Sequence, residues 1–67
     1  MAFDPNTIRS VISKIYLRSG ELRSRGMTLS REGRPLMAEL NFAAADEIAV
    51  LAQDLEKIAE RIEGTGE

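Results

Sequence analysis

The sequence contains no cysteine, no histidine and no tryptophan, and its only aromatic residues are two phenylalanines and one tyrosine. Without cysteine there can be no disulfide scaffold, no thiolate zinc site and no thiol catalysis. Without histidine the chain lacks the commonest general base near neutral pH and the commonest metal ligand. Its few glycines do not have the spacing of a phosphate-binding loop. We therefore expect a protein that is not an enzyme and binds no metal or cofactor.

Long hydrophobic runs are also missing. No apolar stretch approaches the roughly 20 residues that a membrane-spanning helix needs. Residues 1–5 lack the basic region and apolar core of a secretory signal. These features predict a cytoplasmic protein that does not associate with membranes.

The chain is short, with 67 residues and a mass of 7.4 kDa. A chain of this length buries only about 60% of the surface that its unfolded form exposes. Without a disulfide or metal, such a core rarely supplies more than roughly 3–5 kcal/mol. We expect one domain over residues 1–67 that gains further burial by self-association.

A first helix is predicted over residues 5–25. Asp4 can cap its free backbone N–H groups, and Pro5 suits the first helical position because its missing N–H costs nothing there. Phe3 and Ile8 occupy the two positions of a hydrophobic staple. The capping signals thus place the start of the helix at Pro5.

The apolar residues of this first helix recur with helical spacing and fall within one stripe. They are Ile8, Val11, Ile12, Ile15 and Leu22. Gly26 is the expected stop, and Gly20 could end the helix earlier because a mid-helix glycine costs roughly 1 kcal/mol relative to alanine. A connecting loop is then expected over residues 26–34, with Met27 and Leu29 packed against the end of the bundle.

A second helix is predicted over residues 35–63, followed by a frayed tail at residues 64–67. It carries a heptad pattern typical of coiled coils. We call this the aliphatic strip: Ala44, Ile48, Leu51, Leu55, Ile58 and Ile62. Beside it runs a line of small residues that would let another helix approach closely, namely Ala45, Ala49, Ala52 and Ala59.

The start of the second helix has two interpretations. Pro35 at the first position, followed by strong helix formers, favours a start there. A start with Asn41 as the cap would leave residues 27–40 for a β-hairpin, but a proline within its second strand argues against this alternative. We predict the longer helix.

Two helices of these lengths cannot cover each other's apolar surface. The second helix overhangs the first by eight residues, and its apolar face is wider than one partner helix covers. We therefore predict an all-α antiparallel helical hairpin that pairs into a homodimeric four-helix bundle, with a different protein as the alternative cover. The expected interface residues are Ile8, Ile12, Ile15, Leu22, Ile48, Leu51, Leu55, Ile58 and Ile62.

Charge is distributed unevenly between the two halves. Residues 1–34 carry a net charge of +4, and residues 35–67 carry −6. One row of the first helix holds Lys14, Arg18 and Arg25, which we call the basic row. A second row holds Arg9, Tyr16 and Arg23. Such rows can bind nucleic acid, but on two helices that must pack they more often pair with acidic residues of the other helix.

Together these patterns predict a small protein–protein interaction module that dimerises through helix packing and regulates or assembles a partner protein. The alternative is a nucleic-acid-binding regulator that uses the basic row Lys14, Arg18 and Arg25. The overall acidic pI of about 5.1 makes the alternative weaker, because nucleic-acid-binding domains are usually basic.

Overall fold

The computed structural model describes residues 5–65, with side chains described for residues 6–64. Two helices fill this range: α1 spans Pro5–Arg31 and α2 spans Pro35–Thr65. They pack against each other as a hairpin, and residues 5–65 contain no strand. The predicted all-α hairpin is therefore confirmed. The cap at Asp4 and the staple partner Phe3 lie outside the described residues, as do residues 66–67 of the tail.

The helix α1 is longer than predicted, because its buried side continues past Gly26. Buried and half-buried positions recur at alternating spacings of four and three residues along its whole length: Ile8, Ile12, Ile15, Ser19, Leu22, Gly26 and Leu29. This is an unbroken heptad pattern, which keeps one side of the helix facing α2. The predicted break at Gly20 does not occur either, since the helix runs through that residue.

The connection between the helices is a tight turn of residues 32–34, so the predicted loop over residues 26–34 was wrong. Gly33 adopts a φ of 75°, a left-handed conformation that glycine tolerates best. The Gly33 N–H donates to the Ser30 carbonyl at 3.1 Å, and the Arg34 N–H donates to the Leu29 carbonyl at 2.9 Å. These two bonds form a Schellman motif, which satisfies the last free carbonyls of α1.

The helix α2 begins at Pro35, the predicted start, and not at Asn41. The Arg34 carbonyl accepts the Ala38 N–H at 3.1 Å, which makes Arg34 the cap residue and Pro35 the first helical residue. The helix continues through Gly64 to Thr65, so the expected stop at Gly64 was wrong.

Alanine dominates the side of α2 that faces α1. Four alanines at intervals of seven residues are buried, and the last three are wholly inaccessible to solvent. We call them the alanine row: Ala38, Ala45, Ala52 and Ala59. Their methyl groups leave little distance between the helix backbones, so α1 itself is the close-packed helix that the small residues favour.

Small residues on α1 complete this close packing. Ser19 is buried, and its hydroxyl donates a hydrogen bond of 2.9 Å to the Ala45 carbonyl of the opposite helix. Gly26 lies under the ring of Phe42, where a Cβ atom would come within 2.8 Å of a ring carbon. Both contacts depend on a side chain no larger than serine at that point of α1.

The hairpin is elongated, with extents of 51 × 16 × 14 Å. Because α1 has 27 residues and α2 has 31, the helices nearly match in length, and the predicted overhang of eight residues was wrong. Neither helix, over the range that the structure describes, has a stretch long and apolar enough to span a membrane.

Candidate helix-docking surface

The aliphatic strip lies along one edge of α2, beside the alanine row rather than on it. Leu51 and Ile58 are 52% and 47% exposed. Ile48, Leu55 and Ile62 are half-buried, and the last two pack against the core at its margin. A strip of large aliphatic side chains is therefore open to solvent along much of α2.

The predicted interface residues thus divide into two groups. Ile8, Ile12 and Leu22 of α1 are buried against α2, and Ile15 is half-buried beside them. The α2 residues are instead half-buried or exposed: Ile48, Leu51, Leu55, Ile58 and Ile62. The hairpin uses the α1 residues for its own packing and leaves much of the α2 residues uncovered.

The inner face of α2 is the alanine row and not the aliphatic strip, which the heptad pattern had indicated. Ala38 was not assigned to the line of small residues, and Ala49 was, although only Ala38 is buried. The signal was the strict seven-residue spacing from Ala38 to Ala59, which matches the heptad of α1. Ser19 and Gly26 extend that heptad and were also missed.

On the side of the hairpin away from the strip, ion pairs join the two helices. Arg9 makes two hydrogen bonds to Glu63, Nε–Oε1 at 2.9 Å and Nη2–Oε2 at 2.7 Å. Arg23 Nη2 lies 2.6 Å from Asp46 Oδ1. The pairing interpretation is confirmed for this row of α1, which holds Arg9, Tyr16 and Arg23.

These contacts shift the pKa values of the groups involved. The hydrogen bonds from Arg9 lower the pKa of the Glu63 carboxyl, and the same bonds raise the pKa of Arg9. Partial burial raises the pKa of Tyr16, and the charge of Glu56 and a hydrogen bond to it raise the pKa further. The row thus stabilises the hairpin when the carboxylates are ionised and the phenol is neutral.

The basic row lies on the opposite flank of α1, on the same side of the hairpin as the aliphatic strip, and α2 does not neutralise it. Arg18 Nη1 pairs with Glu21 Oε2 of its own helix at 2.9 Å. Lys14 and Arg25 are exposed and have no ion pair among residues 6–64. The pairing interpretation therefore does not extend to this row, as far as α2 of the same chain is concerned.

The outer border of the aliphatic strip is charged. Glu47, Asp54 and Arg61 follow each other at intervals of seven residues and are all exposed. At about 100° per residue they lie next to Leu51 and Ile58 on the helix surface. The strip is thus bounded by the basic row on the α1 side and by this mixed row on the outer side of α2.

The monomer buries little for its size. No large side chain in the described range is less than 2% exposed. The radius of gyration is 15.4 Å, whereas a compact domain of this length has about 11 Å. The accessible surface is 5078 Å², which exceeds the roughly 4,200 Å² typical of a folded monomer of this mass.

Within the described range, no three acidic side chains come together in a way that could hold a metal ion. The carboxylates that are not paired with arginine are exposed along the helices, except for Glu56, which is half-buried beside Tyr16. Comparison of the chain with protein-family models, curated proteins and solved structures finds no significant match. We therefore base the functional proposal on the aliphatic strip and its charged borders.

Proposed function

We propose that this chain is a non-enzymatic protein–protein interaction module that forms a homodimeric four-helix bundle through its aliphatic strip. The observation that carries the proposal is the half-exposure of Leu51 and Ile58 on a heptad row of α2. Because each of these side chains is only about half exposed, leaving it so forgoes roughly half of the 1.5–3 kcal/mol that full burial of a Leu or Ile contributes. Several such residues together amount to a large fraction of the stability of a small domain. A second copy is the partner that supplies a surface of matching length and heptad spacing.

The module acts by presenting its dimer to a further protein, which it regulates or assembles. Leu17 supports this part of the proposal, since it is 67% exposed on the side of α1 that points away from α2. Leu36 and Leu40 near the turn are exposed as well. Leu17 lies outside the aliphatic strip and stays available after two hairpins have paired, whereas Leu40 lies seven residues before Glu47, on the border of the strip.

Two matched substitutions test the homodimer. Leu51 and Val50 are neighbours with nearly equal exposure, 52% and 50%, but only Leu51 belongs to the strip. We expect Leu51→Lys to dissociate the dimer, because a charge would be buried at the interface without a partner. Val50→Lys should leave the mass measured by light scattering at twice 7.4 kDa. Equal effects of both substitutions would show that the strip has no special role.

A nucleic-acid-binding regulator is the second candidate, and the exposure of Lys14 and Arg25 supports it. Binding through phosphates would weaken steeply with salt. The double change Arg18→Glu with Arg25→Glu should then abolish a gel shift and leave the helical circular dichroism spectrum unchanged. We expect no gel shift with the unaltered protein, because the chain has an overall net charge of −2.

A further inference from the structure

The side of the hairpin that carries the strip is divided between two kinds of surface. Its α2 part is aliphatic, with Leu51 and Ile58 at the centre. Its α1 part is mainly charged, with Arg18 and Arg25 of the basic row exposed there beside Val11, which is 44% exposed. The α2 part favours contact with an apolar surface, and the arginines of the α1 part favour contact with water or acidic groups. These preferences restrict how a second copy can dock.

We propose that a second copy packs its α2 on this α2, strip against strip, with the two helices antiparallel. This arrangement rests on the proposed homodimer and specifies its topology. The aliphatic strip runs from Ala44 to Ile62, so the twofold axis that centres one strip on the other crosses α2 near Gln53. Leu51 then lies level with Leu55 of the partner subunit, and Ile58 lies level with Ile48 of the partner subunit.

The apolar residues favour this arrangement over one in which α1 covers α2 of the second copy. In that alternative Arg18 and Arg25 would lie on Leu51 and Ile58, with their charges near an apolar surface. It would gain contacts between arginines and the acidic border of the strip, but exposed ion pairs contribute little. Burying large aliphatic side chains against each other contributes more, because the gain scales with the apolar area removed from water.

The charged border of the strip favours antiparallel over parallel pairing of the two α2 helices. With the axis near Gln53, Glu47 comes within about 3 Å of the level of Arg61 of the partner subunit. The reciprocal pair forms beyond the axis, on the same border. In a parallel pair, Glu47 would lie level with Glu47 of the partner subunit and Arg61 with Arg61 of the partner subunit, so like charges would meet. Opposite charges at the border of a helix seam are a common means of fixing orientation.

The same axis brings like charges together at two places, Asp54 near its own copy and the basic rows of the two α1 helices, which lie on the strip side of each hairpin. Asp54 lies almost level with the axis, so it faces Asp54 of the partner subunit across the exposed border. In the alternative arrangement Asp54 would instead come level with Arg18 of the partner subunit. Arg9 and Glu63 pair within one chain, so they lie at the same level along the hairpin. Arg18 comes nine residues after Arg9, and Asp54 comes nine residues before Glu63. Because the two helices are antiparallel, Arg18 and Asp54 also lie at one level. The charge of Asp54 thus has opposite effects on association in the two arrangements.

Removing that charge gives the first test. We expect Asp54→Asn to tighten the dimer, with a dissociation constant lower by about threefold, because like charges near the axis no longer repel. Glu60→Gln, on the other side of α2, is the matched control and should leave the constant unchanged. A weaker or unchanged association of the Asp54→Asn protein would contradict strip-on-strip packing.

A distance between the two turns gives the second test. The chain has no cysteine, so Glu32→Cys places a single nitroxide label at the turn. Antiparallel α2 helices put the two turns at opposite ends of the bundle, and pulsed electron paramagnetic resonance should give a separation of about 50 Å or more, comparable to the 51 Å length of one hairpin. Turns at the same end of the bundle would be less than about 30 Å apart, because packed helices are spaced by 8–10 Å. Such a separation would contradict the antiparallel topology but would still agree with a homodimer. If the concentrated protein gives no distance between two labels, the homodimer itself is contradicted.

Discussion

The alanine row sets how closely α2 approaches α1. A methyl group is the largest side chain that fits between the two backbones at Ala45, Ala52 and Ala59, since all three are wholly inaccessible to solvent. The hydrogen bond from Ser19 to the Ala45 carbonyl requires the same short distance. The smallest residues of α2 therefore set its packing in the hairpin, and the large aliphatic residues of α2 are left at the edge.

A larger side chain in the alanine row should separate the helices. We expect Ala52→Leu to destabilise the hairpin by about 1–3 kcal/mol or more, because a packed interface cannot take up three further carbon atoms without moving backbone. Ala43→Leu is the matched control, since Ala43 is exposed on the same helix. Thermal melts followed by circular dichroism compare the two, and equal melting temperatures would contradict the close approach.

Gly20 and Gly26 of α1 differ in how closely the opposite helix approaches them. A Cβ atom on Gly20 would meet no other atom within 4 Å, whereas one on Gly26 would press into the Phe42 ring. Gly20→Ala should therefore stabilise the protein by roughly 1 kcal/mol through helix propensity alone. Gly26→Ala should lose most or all of that gain. A larger rise in melting temperature for Gly26→Ala than for Gly20→Ala would show that Phe42 does not pack there.

At the scale of the helices, the sequence predicts the existence and type of both elements and the start of α2. Pro35 and the helix formers that follow it are local signals, so they can be read without knowing what the helix packs against. The predicted end of α1 at Gly26 was wrong, because Gly26 and Gly33 are both possible stop signals in the sequence. Gly33 ends the helix, with Pro35 two residues later, since only Gly33 adopts the left-handed conformation. Gly26 instead serves close packing, which depends on the opposite helix.

The division of α2 into an inner alanine row and an outer aliphatic strip is not determined by local sequence. Both rows have heptad spacing, and the aliphatic strip has the larger residues, so hydrophobicity alone places it inside. The small residues Ser19 and Gly26 decide the outcome, because they let α1 come close only to a similarly small surface. That complementarity between helices can be read only when both faces are compared.

The ion pair between Arg9 and Glu63 predicts how the pairing of the helices responds to acid. Because Arg9 lowers the pKa of Glu63, ionised Glu63 stabilises the folded state above its unfolded pKa of about 4.3. This contribution is lost as the pH falls through the lower pKa of the folded state. Glu63→Gln should therefore lower the melting temperature at pH 7 and change it less at pH 3. In an Arg9→Gln background the same substitution should have no such pH-dependent effect.

At the scale of the whole molecule, the hairpin lacks an enclosed core. Two helices meet along one line, so among residues 6–64 every large side chain keeps part of its surface in contact with solvent, and only alanines are fully covered. The excess surface of the monomer and the exposed aliphatic strip are two aspects of this geometry. A second hairpin placed on the strip encloses its side chains between four helices, which is the arrangement in which such heptad patterns are stable.

The most direct test of this account is the mass of the unaltered protein in solution, measured by sedimentation equilibrium over the micromolar range. We predict a mass near twice 7.4 kDa, together with a melting temperature that rises with protein concentration. A folded, cooperative monomer of 7.4 kDa with a melting temperature independent of concentration would contradict the account. It would show that the aliphatic strip stays exposed in the native molecule.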